Sequence, residues 1–406
     1  MKIVIATAVY YPMINGVAVF SHNLAVGLAK RGHEVMVICP SQTGRNYTRI
    51  IDGVKTVYLE SIQAKVYPDQ IHTVPKKKLF YKHGFRVSVF PQKEIREALD
   101  SFKPDVVHVQ VSDPIGLSVV KYARQHGIPV ITTEHNQPDV ITDPLHLPKF
   151  IKKPVGALLA AYFVNRQSKS DFVTMPTEKA IEDLIWSRGK DFAVPIAAVS
   201  NGVDLSSFKP GKASSKIYQK YELPTDRRIV LYIGRVDPEK KVGTVIEAFK
   251  RVRAKVPDVT LLVVGDGVDK IRLERELKGS EIEPDVKFLG RVLPPDLYEL
   301  YKVGDVFVTA SEIETQGIVL IEAAATGLPL IAVDKGAVSE VCIDGENGYL
   351  CQPGNIAEIA AAMIKILSSD KLREKFSQNS IKIASEHDFE RTLDKFINIY
   401  NIVLKK

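Results

Sequence analysis

Two cations stand close together after a predicted strand in the second half of the chain. The strand spans Arg228–Ile233, and Arg235 and Lys240 follow it. An arginine offers a planar fork of donors and a lysine a compact charge, and both side chains stabilise phosphate oxygens. The pair therefore predicts a site that offsets the negative charge growing on a departing diphosphate. The alternative is a surface turn in which the same cations pair with Asp237 and Glu239.

Two carboxylates follow a later strand and lead into an apolar helix. Glu314 precedes a glycine-containing helix start, and Glu322 lies about one turn into a helix made otherwise of Ile, Leu and Ala. A carboxylate on such a face is costly unless it accepts hydrogen bonds, which ribose hydroxyls would supply. We also expect the helix dipole to stabilise Glu314, and the free amides of Gly317 and Ile318 to cradle a phosphate. In the alternative interpretation, Glu314 caps the helix and Glu322 forms an ion pair.

The first turn of the chain carries a weaker signal. It follows a predicted strand at Ile3–Ala8, and Gly16 stands at the entrance of the next helix. A glycine there lets a phosphate or sugar approach the backbone amides and the positive end of the helix. The turn lacks the GxGxxG spacing of dinucleotide sites, and a simple turn is an equal alternative.

These residues need strands that end beside one another, and the sequence pattern provides them. Short β-branched runs alternate with amphipathic stretches, which is typical of a doubly wound parallel sheet that binds ligands beyond the carboxyl ends of its strands. The pattern stops in a loop-like stretch at 201–224 and then restarts. The predicted strands are Ile3–Ala8, Glu34–Cys39, Asp105–Gln110, Pro129–Thr133 and Asp171–Met175, then Arg228–Ile233, Thr260–Val264, Val286–Phe288, Val306–Thr309 and Leu330–Val333.

The length and this restart together predict two α/β domains. A chain of 406 residues is too long for one compact core. We expect a Rossmann-like domain over 1–200 and a second over 201–385, facing each other across a cleft. The last amphipathic stretch, Phe389–Leu404, comes after the second sheet is complete. We therefore expect the segment 386–406 to cross back to the first domain.

Composition excludes several classes of protein. With 45% hydrophobic and 25% charged residues, the chain is typical of globular proteins. Its three cysteines form no CxxC pair, so neither a disulfide framework nor a zinc site is indicated. The apolar run at 155–164 is about half of the ~20 residues that cross a bilayer, and the N-terminus lacks the pattern of a signal peptide. We therefore expect a cytoplasmic protein.

The basic excess of the chain lies wholly in its first half. The formal net charge is +7, and many of the cations within 1–200 stand beside aromatic or aliphatic residues. This mixture suits an anionic membrane surface, where each near-surface cation contributes ~1 kcal/mol. A solvated basic face without a partner is the alternative, and no nucleic-acid recognition motif accompanies the charges. The candidate membrane residues are Lys76, Lys77, Lys78, Lys82, Arg86, Lys152 and Lys153.

Taken together, the motifs resemble the GT-B family of retaining glycosyltransferases called family 4. The likeness covers nearly the whole chain, and the motifs are specific as a set. They are Asn15-Gly16-Val17, Gly32-His33-Glu34-Val35, Asp105-Val106-Val107-His108, Thr133-Glu134-His135, Asn201-Gly202-Val203-Asp204, Gly234-Arg235 with Lys240, Glu314 and Glu322 separated by seven residues, Gly327-Leu328-Pro329 and Asp344-Gly345-Glu346-Asn347-Gly348.

The resemblance implies an enzyme that transfers a hexose from a nucleotide sugar with retention and without a cofactor or metal. The absence of a DxD motif in a suitable loop agrees with metal independence. By resemblance, Arg235 and Lys240 would bind the donor diphosphate, Glu322 the ribose and Glu314 the sugar hydroxyls. The amides of Gly317 and Ile318 would lie near the phosphates.

The resemblance also assigns roles in the first domain. His135 would face the transferred sugar, and Gly16 would lie beside donor and acceptor. The implied catalytic set is then His135, Glu314, Arg235 and Lys240. An ordinary loop histidine is the alternative for His135.

Two departures from the commonest family pattern bear on the acceptor and on the first loop. Glu314-Thr315-Gln316-Gly317 stands in place of Glu-Gly-Phe-Gly, as in members that glycosylate diacylglycerol, and Asn15-Gly16 replaces Gly-Gly. We therefore predict that a peripheral enzyme on the inner face of the cell membrane transfers glucose or mannose from a UDP- or GDP-sugar to a lipid such as diacylglycerol. A soluble or polysaccharide-precursor acceptor is the nearest alternative. A nucleotide-sugar epimerase or hydrolase, or a non-catalytic nucleotide-sugar-binding protein, fits these residues less well.

Overall fold

The computed structural model divides the chain into two compact units. Unit 1 comprises Met1–Asn201 together with Thr392–Lys406, and unit 2 comprises Gly202–Arg391. The structure describes residues 1–11, 13, 15–63, 86–89, 91–110, 113–135, 154–155, 158, 161, 165–188 and 194–405.

Unit 1 contains, within the described residues, an eight-stranded sheet and a two-stranded ribbon. Its central strands are continuous apolar runs, as expected of parallel strands covered on both faces, and Ile3, Val4 and Ile5 have no exposed surface. The strands are β1 (Lys2–Ala6), β2 (Glu34–Pro40), β3 (Tyr47–Ile51), β4 (Val54–Leu59), β5 (Ile62–Gln63), β6 (Arg86–Val87), β7 (Val106–Val109), β8 (Val130–Thr133), β9 (Phe172–Met175) and β10 (Ile196–Ala198). The helices that follow strands in this unit are α1 (Gly16–Lys30), α2 (Gln92–Phe102), α3 (Pro114–Gln125) and α4 (Glu178–Arg188).

The strand order of the large sheet is β10-β9-β8-β7-β1-β2-β4-β3. Its neighbours pair in parallel except β3 and β4, which form an antiparallel hairpin at the edge. The prediction of a doubly wound parallel sheet is therefore confirmed for the centre and incomplete at the edge. The order reverses between β1 and β7, so ligand-binding side chains are expected where these strands end.

Unit 2 contains a six-stranded sheet in the described residues, and all of its neighbouring strands are parallel. The strands are β11 (Arg228–Ile233), β12 (Val259–Val264), β13 (Val286–Gly290), β14 (Val306–Val308), β15 (Leu330–Val333) and β16 (Gly348–Cys351). Their order, β13-β12-β11-β14-β15-β16, is the Rossmann order 3-2-1-4-5-6 when they are counted along the chain. The order reverses between β11 and β14.

The helices of unit 2 pack on both faces of this sheet. They are α5 (Ser215–Lys220), α6 (Val242–Arg253), α7 (Lys270–Leu277), α8 (Asp296–Tyr301), α9 (Ile318–Ala325), α10 (Ile356–Leu367) and α11 (Asp370–Ser385). Two apolar clusters bury them: one holds α6 and α10, and the other holds the buried side chains of α8 and α9. The helix α9 is apolar nearly all round, which is typical of a helix buried on several sides.

The last helix, α12 (Phe389–Leu404), has the bounds that the sequence predicts. Almost all of it belongs to unit 1. Phe396 lies with its ring centroid 6.0 Å from that of Phe20 on α1 and 5.1 Å from that of His108 on β7. The hydroxyl of Thr392 donates to the carbonyl of Ser200 at 2.9 Å. The helix is thus part of the core of unit 1.

Two further predictions concern cysteines and membranes. Cys39, Cys342 and Cys351 are all buried, and each is a free thiol. Among the helices described, none joins enough length to enough apolar character to traverse a membrane.

Candidate functional site

The cations of unit 2 are held by a turn that packs closely against a neighbouring loop. Tyr232 donates its hydroxyl to the carbonyl of Arg235 at 2.6 Å, and Lys240 ends a 3₁₀ turn at Pro238–Lys240. A Cβ atom on Gly265, in the loop after β12, would lie only 1.8 Å from the carbonyl oxygen of Gly234. Glycine at 265 therefore allows the two loops to touch backbone to backbone.

Lys240 and Glu314 meet where the strand order of unit 2 reverses. The Nζ of Lys240 donates to Oε1 of Glu314 at 2.6 Å, and both side chains are largely buried, with 17% and 15% exposed. Lys240 follows β11 and Glu314 follows β14, so the ion pair bridges the two strands that flank the switch point. The structure thus brings together two of the residues that the sequence singles out.

The interpretation of Glu314 as a helix cap is wrong. Helix α9 begins at Ile318 and its N-cap is Gly317, in the left-handed conformation with φ 76°. Glu314 lies three residues before that cap, so it does not cap the helix. Lys240 neutralises it instead. The first amides of α9, including that of Ile318, have no acceptor within the helix, because an α-helix leaves the amides of its first turn unpaired.

Arg235 is paired with two carboxylates. One guanidinium nitrogen donates to Asp237, and another lies 2.8 Å from Oε1 of Glu239. The ion pairs of the surface-turn alternative are therefore present. Asp237 is nevertheless buried, and its second oxygen accepts from the amide of Val268 at 2.9 Å. Asp237 thus fixes Arg235 and also ties the turn after β11 to the loop after β12, a role that the sequence did not reveal.

Glu322 has a tyrosine as its partner. The hydroxyl of Tyr301, on α8, donates to Oε2 of Glu322 at 2.5 Å. Burial raises the pKa of Glu322 to about 7, and the bond from Tyr301 acts in the opposite direction. The ion-pair alternative for Glu322 is wrong, since the partner is neutral.

His135 of unit 1 belongs to a buried polar network that joins the ends of β7 and β8 to the last helix. Its Nε2 lies 2.8 Å from Oε1 of Gln110, and Nε2 of Gln110 lies 3.2 Å from Nε2 of His108. His108 also contacts the hydroxyls of Thr133 at 2.6 Å and Tyr400 at 2.8 Å. Burial lowers the pKa of His135 to about 4 and that of His108 to about 3, so both are neutral at pH 7.

Gly16 is the first residue of α1 and lies on the same helix as Phe20, whose ring meets that of His135 edge to face at 5.3 Å. The unusual Asn15 caps this helix, because its side-chain oxygen accepts from the amide of Ala18 at 2.8 Å. The departure from Gly-Gly therefore has a local structural reason. Gly16 itself is exposed at the helix entrance.

The candidate membrane residues Lys76, Lys77, Lys78, Lys82, Lys152 and Lys153 lie outside the described residues. Arg86 is described, and its guanidinium donates to the hydroxyl and the carbonyl of Ser61 at 2.9 and 2.6 Å. In the described part of the chain, no group of three or more His, Cys, Asp or Glu side chains is arranged to hold a metal ion.

Two family models match this chain, one in each half. Residues 14–207 match the family model Glycosyltransferase Family 4, and residues 214–383 match Glycosyl transferases group 1. An alpha-monoglucosyldiacylglycerol synthase of Acholeplasma laidlawii is 26% identical over 94% of this chain and 92% of its own length. A GDP-mannose-dependent alpha-mannosyltransferase of Mycobacterium tuberculosis is 30% identical over 87% of this chain and 84% of its own.

A solved structure supports the fold. The Anabaena protein Alr3699/HepE, crystallised in complex with UDP, superposes with a TM-score of 0.71 at 18% identity, over 99% of this chain and 100% of that one. The parallel sheets, their strand order and these matches lead to one conclusion: the chain belongs to the GT-B glycosyltransferases of family 4, group 1.

Proposed function

We propose that this glycosyltransferase is a retaining, metal-independent hexosyltransferase that binds a UDP- or GDP-hexose on unit 2 and transfers the sugar to a membrane lipid. The observation that carries the donor side of the proposal is the Lys240–Glu314 pair at the switch point of the unit 2 sheet, 2.6 Å apart and largely buried. A buried cation beside a carboxylate at this edge offers one group for phosphate and one for sugar hydroxyls.

In the proposed mechanism, Arg235 and Lys240 stabilise the leaving diphosphate as the anomeric bond lengthens. Such charges accelerate transfer only if they stabilise the transition state more than the bound donor. Glu314 would accept from sugar hydroxyls, Glu322 from the ribose, and the amides of Gly317 and Ile318 would meet the phosphates. The acceptor would return on the same face as the diphosphate leaves, which gives retention.

The ion pairs of the structure add a condition to this mechanism. Arg235 faces Asp237 and Glu239, and Lys240 faces Glu314. A diphosphate must therefore compete with carboxylates for both cations, or share them. The guanidinium of Arg235 has five N–H donors, which is more than its two carboxylates occupy. The three donors of Lys240 face Glu314, Ser311 and the carbonyl of Ile313, and the last two bonds are long, at 3.4 and 3.5 Å, so a phosphate would replace one of them.

The lipid acceptor is supported by the names of two relatives, the alpha-monoglucosyldiacylglycerol synthases of Acholeplasma laidlawii and Streptococcus pneumoniae. A mannosyl donor is supported by the relative named for its dependence on GDP-mannose. His135 and Gly16 of unit 1 would face the transferred sugar. The protein would bind the inner face of the membrane through the basic residues of 1–200.

A donor screen with active-site variants tests the proposed function. UDP-glucose, UDP-galactose and GDP-mannose are each incubated with vesicles that contain diacylglycerol, and glycolipid is measured with and without a chelator. Lys240→Ala and Glu314→Ala are expected to reduce turnover by about 10²-fold or more with the fold intact, since each removes a charged contact to the reacting groups. Lys250→Ala is the matched control, because Lys250 pairs with Glu247 on the surface of α6, away from the candidate site residues of the turn after β11. Near-wild-type turnover in both site variants would refute the assignment.

A sedimentation experiment tests the membrane part separately. The protein is spun with anionic and with neutral vesicles at low and high salt. We expect binding to anionic vesicles that weakens as salt rises, because surface charges are screened within about 10 Å at 0.1 M. Absence from the pellet under every condition would contradict peripheral binding while leaving the donor site untouched.

A further inference from the structure

Tyr301 is a buried phenol whose hydroxyl has one partner among the described residues. It ends helix α8, has no exposed surface, and its ring lies 5.5 Å edge-to-face from that of Phe208 and 6.3 Å from that of Phe307. Its hydroxyl donates to Oε2 of Glu322 at 2.5 Å. A buried hydroxyl needs such a partner, and the aromatic contacts fix the direction in which it points.

The other oxygen of Glu322 has no protein partner in the described part of the chain. Glu322 is partly exposed, and Tyr301 bonds Oε2, so Oε1 is the acceptor that remains for a ligand. Glu299 of α8 pairs with Lys302, the residue that follows this helix, at 2.6 Å. Helix α11 packs against α9, yet among the described residues no charged group from it or from β15 contributes to the pKa of Glu322.

We propose that Tyr301 is a positioning residue for donor recognition, whose hydroxyl bonds one oxygen of Glu322 and directs the other oxygen to a ribose hydroxyl of the nucleoside diphosphate. The inference rests on the proposed function, in which Glu322 meets the ribose. Tyr301 touches no donor atom itself. It acts through the carboxylate.

Two opposite effects on the pKa of Glu322 explain why the hydroxyl of Tyr301 matters. Burial raises the pKa of Glu322 to about 7, so near neutral pH the carboxyl group loses its charge easily. A protonated carboxyl group is a weaker acceptor for a ribose hydroxyl than a carboxylate. Because the bond from Tyr301 stabilises the carboxylate, removing that hydroxyl should raise the pKa further, by about one unit.

The test is the pH dependence of nucleotide binding. Binding of UDP and GDP is measured by calorimetry from pH 6 to 9 for the wild type, Tyr301→Phe, Glu322→Gln and Tyr298→Phe. Tyr298→Phe is the matched control, because Tyr298 lies on the same helix and contacts Phe208 but makes no bond to Glu322. We expect affinity to fall as the pH drops through the pKa of Glu322, and the midpoint to move up in Tyr301→Phe alone.

The expected change in the dissociation constant follows from the ionised fraction of Glu322. With a shift of one unit, the dissociation constant of Tyr301→Phe at pH 7 should exceed that of the wild type by about fivefold, and the two should converge near pH 9. Glu322→Gln should show no step in this range. A 2′-deoxyribose diphosphate should lose less affinity on Tyr301→Phe than its ribose counterpart, since the contact is already weakened.

Two results would overturn the inference. One is a folded Tyr301→Phe whose pH profile superposes on that of the wild type, with folding checked by circular dichroism. The other, which does not depend on that variant folding, is an unchanged pH step in Glu322→Gln. If the wild type bound neither nucleotide, the proposed function would fail first, so the two failures are distinguishable.

Discussion

At the scale of single residues, the two cations of unit 2 are both paired with carboxylates. Arg235 and Lys240 together face three carboxylates, those of Asp237, Glu239 and Glu314. These carboxylates differ in burial, because Asp237 is enclosed whereas Glu239 is 31% exposed. An exposed pair is worth little and a buried one is costly to break. The two partners of Arg235 should therefore act in opposite ways on donor binding.

Neutralising these partners is a direct prediction. Glu239→Gln should tighten UDP or GDP binding by about two- to fivefold, since it removes a competitor for Arg235 that contributes under ~1 kcal/mol. Asp237→Asn should instead weaken binding, because Arg235 loses the group that fixes its direction. Calorimetric titration at two salt concentrations measures both, and Glu247→Gln on the surface of α6 serves as control. Equal effects of the two variants would show that Asp237 has no positioning role.

The residue types explain which parts of the site the sequence could predict. Arg235, Lys240 and Glu314 follow strands, and their charges alone indicate a site for phosphate and sugar hydroxyls. Tyr301 and Gln110 were missed, because their importance comes from contacts with residues distant in the chain. Tyr301 looks like any aromatic residue of a short amphipathic helix, and its bond to Glu322 depends on how α8 packs against α9. Asp237 was noticed only as part of an alternative interpretation.

At the scale of elements, the turn after β11 depends on the loop after β12. Gly265 has φ 143° and leaves no room for a Cβ atom beside Gly234, while a Cβ on Gly267 would lie 2.2 Å from the carbonyl of Val236. The turn that carries Arg235 therefore packs against the backbone of Gly265 and Gly267. Any side chain there would push the turn away from β12.

A pair of alanine substitutions tests this dependence. Gly265→Ala should weaken nucleotide binding at least tenfold and lower the melting temperature, because a backbone contact of 1.8 Å cannot be relieved without moving the turn. Gly279→Ala is the matched control, since Gly279 also has a positive φ but nothing lies within 4 Å of its Cβ position. A similar loss of binding in both variants would attribute the effect to backbone strain alone.

Element bounds were predictable where the hydrophobic period was long and clear. Strands β11 and β15 and helix α12 have the predicted bounds. The hairpin of β3 and β4 was missed, although its turn residues Asp52 and Gly53 both have positive φ and form a recognised hairpin signal. Its outer strand is exposed on most positions, so it lacks the apolar run that identified the others.

At the scale of the whole molecule, buried histidines make the stability of unit 1 depend on pH. The pKa values of His108 and His135 lie well below the ordinary 6.5, at about 3 and about 4, because both are buried. Between pH 6.5 and 4 the unfolded chain therefore binds more protons than the folded one. Stability from these two groups is full above pH 6.5 and is lost as pH falls. Asp113, whose pKa is raised to about 6 by burial, acts in the opposite direction.

A comparison of variants isolates the histidine contribution. Between pH 6.5 and 5.5, each buried histidine should lower the free energy of unfolding by about 1 kcal/mol. His135→Gln should remove its share, so the variant's stability should change less with pH than that of the wild type. The single tryptophan, Trp186, falls in the sequence of unit 1 and reports its urea unfolding by fluorescence. Identical pH slopes for variant and wild type would contradict this account.

The membership of α12 in unit 1 has a consequence for how the protein is made. Unit 2 is continuous in sequence, so every residue of its sheet has emerged from the ribosome before Thr392 is translated. Unit 1 is discontinuous in sequence. Its residues Phe20 and His108 can make their contacts with Phe396 and Tyr400 only after these have been synthesised, hundreds of residues later. During translation the first unit to be started is therefore the last to be completed, because its core is closed only when the C-terminal helix has been synthesised.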